Sequence, residues 1–187
     1  MIQGIFCCES GKTKNITSSL LSKALKANKP LWIDVLKPSD DDLEFLKKEL
    51  SLHELALNDV KKRTRRPKIV DYPRHIYLVT HAIEYKDHSL KLHELDLFLG
   101  KNFIVTLHRV ELDSVSSIAE RVQKDPSVFK KGPDFLLYLI LNSVVSNYFP
   151  ALDSIDETID ALEDEIFSNP TAKTLNKTFQ LKRNTLR

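Results

Sequence analysis

The sequence predicts an α/β domain that gives way to long helices. Three observations predict it. Short β-rich runs alternate with amphipathic stretches over the first two thirds of the 187 residues. Over the last third, apolar residues recur at steps of three and four. The charge then changes sign: from Gly132 to Ala172 there is no Lys or Arg and there are eight carboxylates, whereas Lys173 to Arg187 holds five basic residues and no acid. The formal net charge of +2 therefore hides two oppositely charged elements in succession.

Ile2 to Cys7 reads as a first strand, followed by a polar stretch leading to Leu20, Leu21 and Leu25. Leu31-Trp32-Ile33-Asp34-Val35 reads as a buried strand. Pro38-Ser39-Asp40-Asp41-Asp42 then opens a helix, with Ser39 as cap, Asp42 at the capping-box position and Leu43, Leu46 and Leu50 on one face. Ser51 and Glu54 repeat the box and start a second short helix with Leu55 and Val60, which must end by Pro67. His75 to Tyr85, Leu90 to Leu99 and Phe103 to His108 are rich in strand-forming residues and are split by polar turns, so an antiparallel meander is expected.

Leu112, Val115, Ile118 and Val122 mark a helix that stops by Pro126, ahead of a Lys130-Lys131-Gly132-Pro133 loop. Tyr138, Leu141, Val145, Tyr148, Leu152, Ile155, Ile159, Leu162 and Ile166 then share the 3.5-residue period of a helix that packs along another. That helix would be about 45 Å long at 1.5 Å per residue. Pro150 lies inside it, so a kink is expected near Tyr148. Asn169 and Pro170 supply a cap and a first-turn proline for a last helix carrying Leu175, Phe179 and Leu186. No C-cap signal closes that helix, so the protein is expected to continue beyond Arg187. The division is thus residues 1–130 as the α/β domain and 131–187 as the long acidic helix and the start of a basic one.

Composition and motifs exclude several classes. Cys7 and Cys8 are adjacent, which is poor geometry for a disulfide and lacks the spaced pairs of a structural zinc site, so a reducing compartment is expected. The N-terminus has no signal-peptide charge pattern. The longest unbroken apolar run, Phe135 to Leu141, is well short of the roughly 20 residues of a bilayer span. There is no nucleophile elbow, phosphate loop, dinucleotide fingerprint or His-Glu-x-x-His motif, and an enzyme is not expected. The six histidines lack the i, i+4 pairing of a helical metal site and read as structural or solvated.

Two charged patterns remain. Lys61 to Lys68 holds six cations in eight residues, enough to meet phosphates, but no aromatic residues interleave, so a solvated linker or an interface is the better reading. Asp153, Asp156, Asp160 and Asp164 form one stripe on the long helix. Such a stripe is an ordinary solvated face or a surface that attracts hydrated divalent cations; oxygen ligands suit magnesium rather than a soft metal.

His53-Glu54-Leu55-Ala56-Leu57-Asn58-Asp59, then Arg66-Pro67-Lys68 and a strand with Tyr77, resemble the CorA family of magnesium transporters. The order continues through Asn102 to His108, Leu136-Leu137-Tyr138, Ile155-Asp156-Glu157 and Gln180 to Asn184, covering nearly all of the chain from Leu31. The resemblance implies an α/β/α sandwich with a mixed, largely antiparallel sheet, followed by a long helical hairpin whose last helix would continue as a pore-lining stalk. It implies a cytoplasmic domain on the inner face of the cell membrane and a homo-pentamer. The family's Gly-Met-Asn signature would lie past Arg187, and without the pore helices the isolated chain is expected to be monomeric. It further implies Mg2+ or Co2+ as a regulatory ligand bridging neighbouring domains and favouring the closed state. By position, Asp59 matches the bridging aspartate, Asn58 stands where relatives carry Glu, and Asn142 where a relative has a metal-facing Asp; amides weaken the pull on a hard cation. Two rivals stay open: a zinc transporter of the same architecture and a nucleic-acid-binding module using Lys61 to Lys68. No nucleic-acid partner is expected.

Overall fold

The computed structural model describes residues 2–7, 21, 25, 30–63, 66–86, 89–168 and 171–185. Six strands form one sheet: β1 (Ile2–Cys7), β2 (Leu31–Leu36), β3 (Lys68–Tyr72), β4 (His75–Lys86), β5 (Ser89–Gly100) and β6 (Phe103–His108), in the order β1-β2-β6-β5-β4-β3. Only β2 and β6 pair in parallel; every other neighbour is antiparallel. The expected meander is β4-β5-β6, and the sheet is mixed and largely antiparallel.

Period-2 alternation sorts the strand residues between two cores. Leu31, Ile33 and Val35 of β2, Tyr77 and Val79 of β4, Phe98 of β5 and Val105 and Leu107 of β6 face helices α1 (Asp40–Leu50) and α2 (Glu54–Lys62). Trp32, Ala82, Leu95, Leu97 and Ile104 face α3 (Asp113–Lys124) and α4 (Pro133–Ser146). The result is the α/β/α sandwich.

Helix α1 starts as its sequence dictates: the Ser39 hydroxyl accepts from the Asp42 amide at 3.1 Å, and the Asp42 carboxylate accepts from the Ser39 amide at 3.0 Å. The second capping box does not form. Ser51 has φ 55° and ψ 42°, the left-handed end of α1, whereas an N-cap needs extended backbone. His53 has that backbone, and its Nδ1 accepts from the Leu55 amide at 3.2 Å to cap α2. Strand β3, at the sheet edge, is an element that the sequence reading lacks.

The long helix divides at Asn147 into α4 and α5 (Tyr148–Ser168). Pro150 therefore falls in the first turn of α5, where its missing N–H leaves no helical bond unmade. The stretch Pro133–Ser168 contains an 18-residue window of mean hydropathy 1.5, long and apolar enough on that criterion to cross a bilayer. Its apolar side is nonetheless a core surface in α4, where Leu136, Leu139, Ile140 and Val144 are buried against the sheet layer. Helix α6 (Ala172–Thr185) packs back on α5. Its cap is Thr171, whose hydroxyl accepts from the Thr174 amide at 3.2 Å; Asn169, Pro170 and Leu186 lie outside the described residues.

Candidate functional site

Asn58 and Asp59 sit near the end of α2, and one helical step of about 100° turns them apart. Asn58 lines a small cavity of about 100 Å³ with Glu44 and Lys47 of α1. Asp59 faces the other way, toward β3 and β4: its carboxylate pairs with Lys68 Nζ at 2.5 Å, both side chains about 30 % exposed at 32 % and 28 %. The Lys68 ammonium also stands 5.3 Å from the centre of the Tyr77 ring. Tyr77 is fully buried, and its hydroxyl donates to Asp96 Oδ1 at 2.6 Å. Asp59, Lys68, Tyr77 and Asp96 thus form a polar line from the surface of α2 into the sheet.

Asn142 is exposed on α4, in the helical layer on the opposite face of the sheet from α2. The chain therefore does not bring Asn142 to Asp59. Asp153, Asp156, Asp160 and Asp164 are all exposed on α5. Of the seam beside them, Ile155 and Leu162 are buried while Leu152 and Ile159 remain open to solvent. Glu165, on the same helix, is instead bonded to α6, accepting from Lys177 at 2.7 Å and Thr174 at 2.8 Å. Among the described residues no three His, Cys, Asp or Glu side chains converge as a metal-binding group.

A cavity of about 640 Å³ opens beside this line. Pro38 and Val110 border it just beyond the carboxyl ends of the parallel pair β2 and β6, Val60 and Arg63 border it from α2, and Glu94 and Asp96 of β5 lie along one side. Arg109 reaches across it and donates to the Val60 carbonyl at 3.5 Å. Burial, and then the charge of neighbouring Asp96, push the Glu94 carboxyl up to about 7 against the pull of Arg109 and Arg63. Burial likewise raises Asp96 to about 6, opposed by the Tyr77 hydrogen bond and by Arg109 and Lys68.

On the other face, the Trp32 indole donates to Thr106 Oγ1 at 3.0 Å, and Thr106 donates to Asp34 Oδ1 at 2.5 Å. His108 donates from Nε2 to Asp34 at 2.9 Å and from Nδ1 to the Val110 carbonyl at 2.6 Å. Both ring nitrogens face acceptors, an arrangement that favours the imidazolium form. Burial opposes that charge, but the hydrogen bond and charge of Asp34 and the Val110 carbonyl prevail and hold the His108 pKa above its usual value. Of the other described histidines, His53 caps α2 and stacks on Tyr72, His93 pairs with Glu84, and buried His75 leaves its Nδ1 without a hydrogen bond.

Sequence reasoning missed Glu94, Asp96, Lys68 and Arg109 as members of one cluster. The available signal was the alternation of β5, which puts Glu94 and Asp96 on the face of core residue Phe98.

The sequence profile described as "CorA-like Mg2+ transporter protein" matches residues 27–187. The chain belongs to this family. It is 29 % identical over 177 residues to the cobalt/magnesium transport protein CorA of Thermotoga maritima, covering 92 % of this chain and 50 % of that one. It is also 29 % identical over 151 residues to the Bacillus subtilis protein YfjQ, covering 81 % and 47 %. The chain thus spans about half the length of these curated relatives. Its fold is similar to the soluble domain of CorA from Methanocaldococcus jannaschii, with TM-score 0.74, 19 % identity and coverage of 98 % and 72 %. The cytoplasmic domain of ZntB from Vibrio parahaemolyticus shares the fold at TM-score 0.71 and 12 % identity over 99 % and 72 %. The family model describes transporters, and this CorA-like chain has the α/β/α domain and helical hairpin described above.

Proposed function

We propose that this chain is the metal-sensing cytoplasmic part of a pentameric magnesium or cobalt channel, in which a divalent cation held between subunits at Asp59 favours the closed state. The observation that carries the reading is the placement of Asp59. It is a partly exposed carboxylate near the end of a short capped helix, and it pairs with the flexible ammonium group of Lys68 at the protein surface. A cation shared with a facing oxygen ligand could replace that ammonium, and it would shift the assembly by its differential affinity for the closed arrangement. Family membership supplies the context of divalent transport.

Asp59 is the hard oxygen donor that suits Mg2+, which keeps most of its waters and uses one or two carboxylates. Asn58 points toward α1 and Asn142 lies across the sheet, so in this reading they contribute through a neighbouring copy, and the remaining ligands come from outside the chain. The acidic stripe of α5 would raise the local cation concentration. The chain takes no nucleic acid in this reading: within the basic run, Lys61 is paired with Asp40 at 2.7 Å and Lys68 with Asp59. Nothing in the described histidine contacts favours zinc.

The test is thermal unfolding of the chain and of Asp59→Ala across millimolar MgCl2 and CoCl2. A cation that binds only the folded form must raise the midpoint. A rise in the parent that disappears in Asp59→Ala supports the sensing role. An equal rise in both places the cation elsewhere and overturns it.

A further inference from the structure

Glu94 and Asp96 occupy alternate positions of β5, so their side chains leave the same face of the sheet about 7 Å apart along the strand. Both line the 640 Å³ cavity. Asp96 is 5 % exposed, and its hydrogen-bond partner is the buried Tyr77 hydroxyl. Among the described residues, no ammonium or guanidinium stands at ion-pair distance from either carboxylate. The nearby cations are directed elsewhere: Lys68 meets Asp59, and Arg109 meets the Val60 carbonyl. Buried carboxylates are ordinarily paired with a cation or kept neutral by a proton. Asp96, buried, and Glu94, partly buried, stand on one wall of the cavity with no described cation in contact, an arrangement that favours a shared proton.

We infer that Glu94 and Asp96 form a proton-binding pair on the wall of this cavity, whose protonation sets the charge that faces the end of α2. The groups around the pair are Asp59 and Arg63 from α2, Lys68 from β3, Tyr77 and His81 from β4, His93 from β5 itself, and His108 and Arg109 at the end of β6. Among them Arg63, Arg109 and Lys68 pull the proton off, whereas burial and the mutual repulsion of the carboxylates, with Asp59 adding to it, keep it on. Burial also lowers the pKa of His81, so this ring adds no positive charge near neutrality. His108 is already paired with Asp34. The two carboxylates thus add a change of charge on this cavity wall to that of the histidines beside them.

Protonation removes negative charge on the Lys68 side of Asp59. Lys68 is then drawn more strongly to Asp59, and the field that attracts a divalent cation there falls. This consequence, and only this one, rests on the sensing role of Asp59.

The experiment is a carbon-13 NMR pH titration of the side-chain carboxyls in the intact chain, with Glu94→Gln and Asp96→Asn used to assign the two resonances. At least one is expected to titrate above pH 5.5, and Glu94→Gln should lower the Asp96 midpoint by removing a like charge. Midpoints near 4 for both, or an Asp96 midpoint unmoved by Glu94→Gln, would overturn the pair. Thermal midpoints at several magnesium concentrations, at pH 6 and pH 8, read the coupling separately. A magnesium response that is larger at pH 8 in the parent, and independent of pH in the doubly substituted chain, supports it. No magnesium response at either pH refutes the sensing role at Asp59, while the carboxyl titration still decides the proton site.

Discussion

Replacing Lys68 by Met tests the competition on which cation sensing at Asp59 depends. The substitution keeps an unbranched chain of similar length against the Tyr77 ring and removes the ammonium group. In the parent, any cation that takes Asp59 must first displace Lys68 from a contact of 2.5 Å. Both groups are about one third exposed, so solvent screens the pair and its worth is about 1 kcal/mol rather than the several that contact distance alone would suggest. Removing it should therefore tighten divalent binding roughly fivefold, since about 1.4 kcal/mol corresponds to tenfold. At zero metal, Lys68→Met should be less stable by about the same 1 kcal/mol. The assay is the thermal midpoint against MgCl2 concentration for the parent, Lys68→Met and Asp59→Ala. The variant curve should start lower and reach a given rise above its own starting midpoint at about one fifth of the parent concentration. An unchanged concentration for that rise in Lys68→Met, alongside a lost response in Asp59→Ala, would mean that the ammonium does not compete and that the cation reaches Asp59 from another side.

Three predictions concern the scaffold. Asp34→Ala should cost about 3 to 5 kcal/mol, because it strands a buried imidazolium and leaves the Thr106 hydroxyl without its acceptor; urea unfolding reads it, and a loss below about 1 kcal/mol would refute the pairing. The charged form of His108 contributes stability that is complete below its unfolded pKa of about 6.5 and is lost as pH rises through its elevated folded value; the parent should thus lose stability relative to His108→Gln as pH rises above about 6.5, and parallel denaturation profiles would refute this. Gly100→Ala should cost about 1 to 3 kcal/mol, because a Cβ there would come within 2.2 Å of the buried Phe103 ring; an unchanged denaturant midpoint would show that the ring moves freely.

The parts of the fold that were legible in the sequence are those set by chemistry within one turn or one alternation. Ser39 and Asp42 bond to each other and to each other's backbone amides three residues apart, so their spacing is enough to place the start of α1. Pro150 likewise acts on the backbone one turn before it, and the division at Asn147 follows. Ser51 and Glu54 show the limit of such patterns. The letters match a capping box, but the left-handed conformation that ends α1 at Ser51 removes the geometry the box needs. Strand β3 was hidden because Lys68–Tyr72 follows a basic run and a proline, is short, and gains its identity only by pairing with β4 across a turn.

The polar line from Asp59 was illegible for a stronger reason. Its members come from α2, β3, β4 and β5, and the register that sets Val79 opposite Asp96 and Tyr77 opposite Phe98 decides which side chains meet. No local pattern carries a register. The same topology limits what one copy can do with a cation. Asp59 and Asn142 were singled out together because a family resemblance gave both a role in metal binding, yet the sheet stands between their helices. At Asp59 the chain thus offers a carboxylate already paired with Lys68, and in the sensing reading a facing ligand comes from outside it. This makes cation binding and association two readings of one equilibrium: whatever cation affinity Asp59 gains from its neighbour is the affinity that the neighbour gains from the cation.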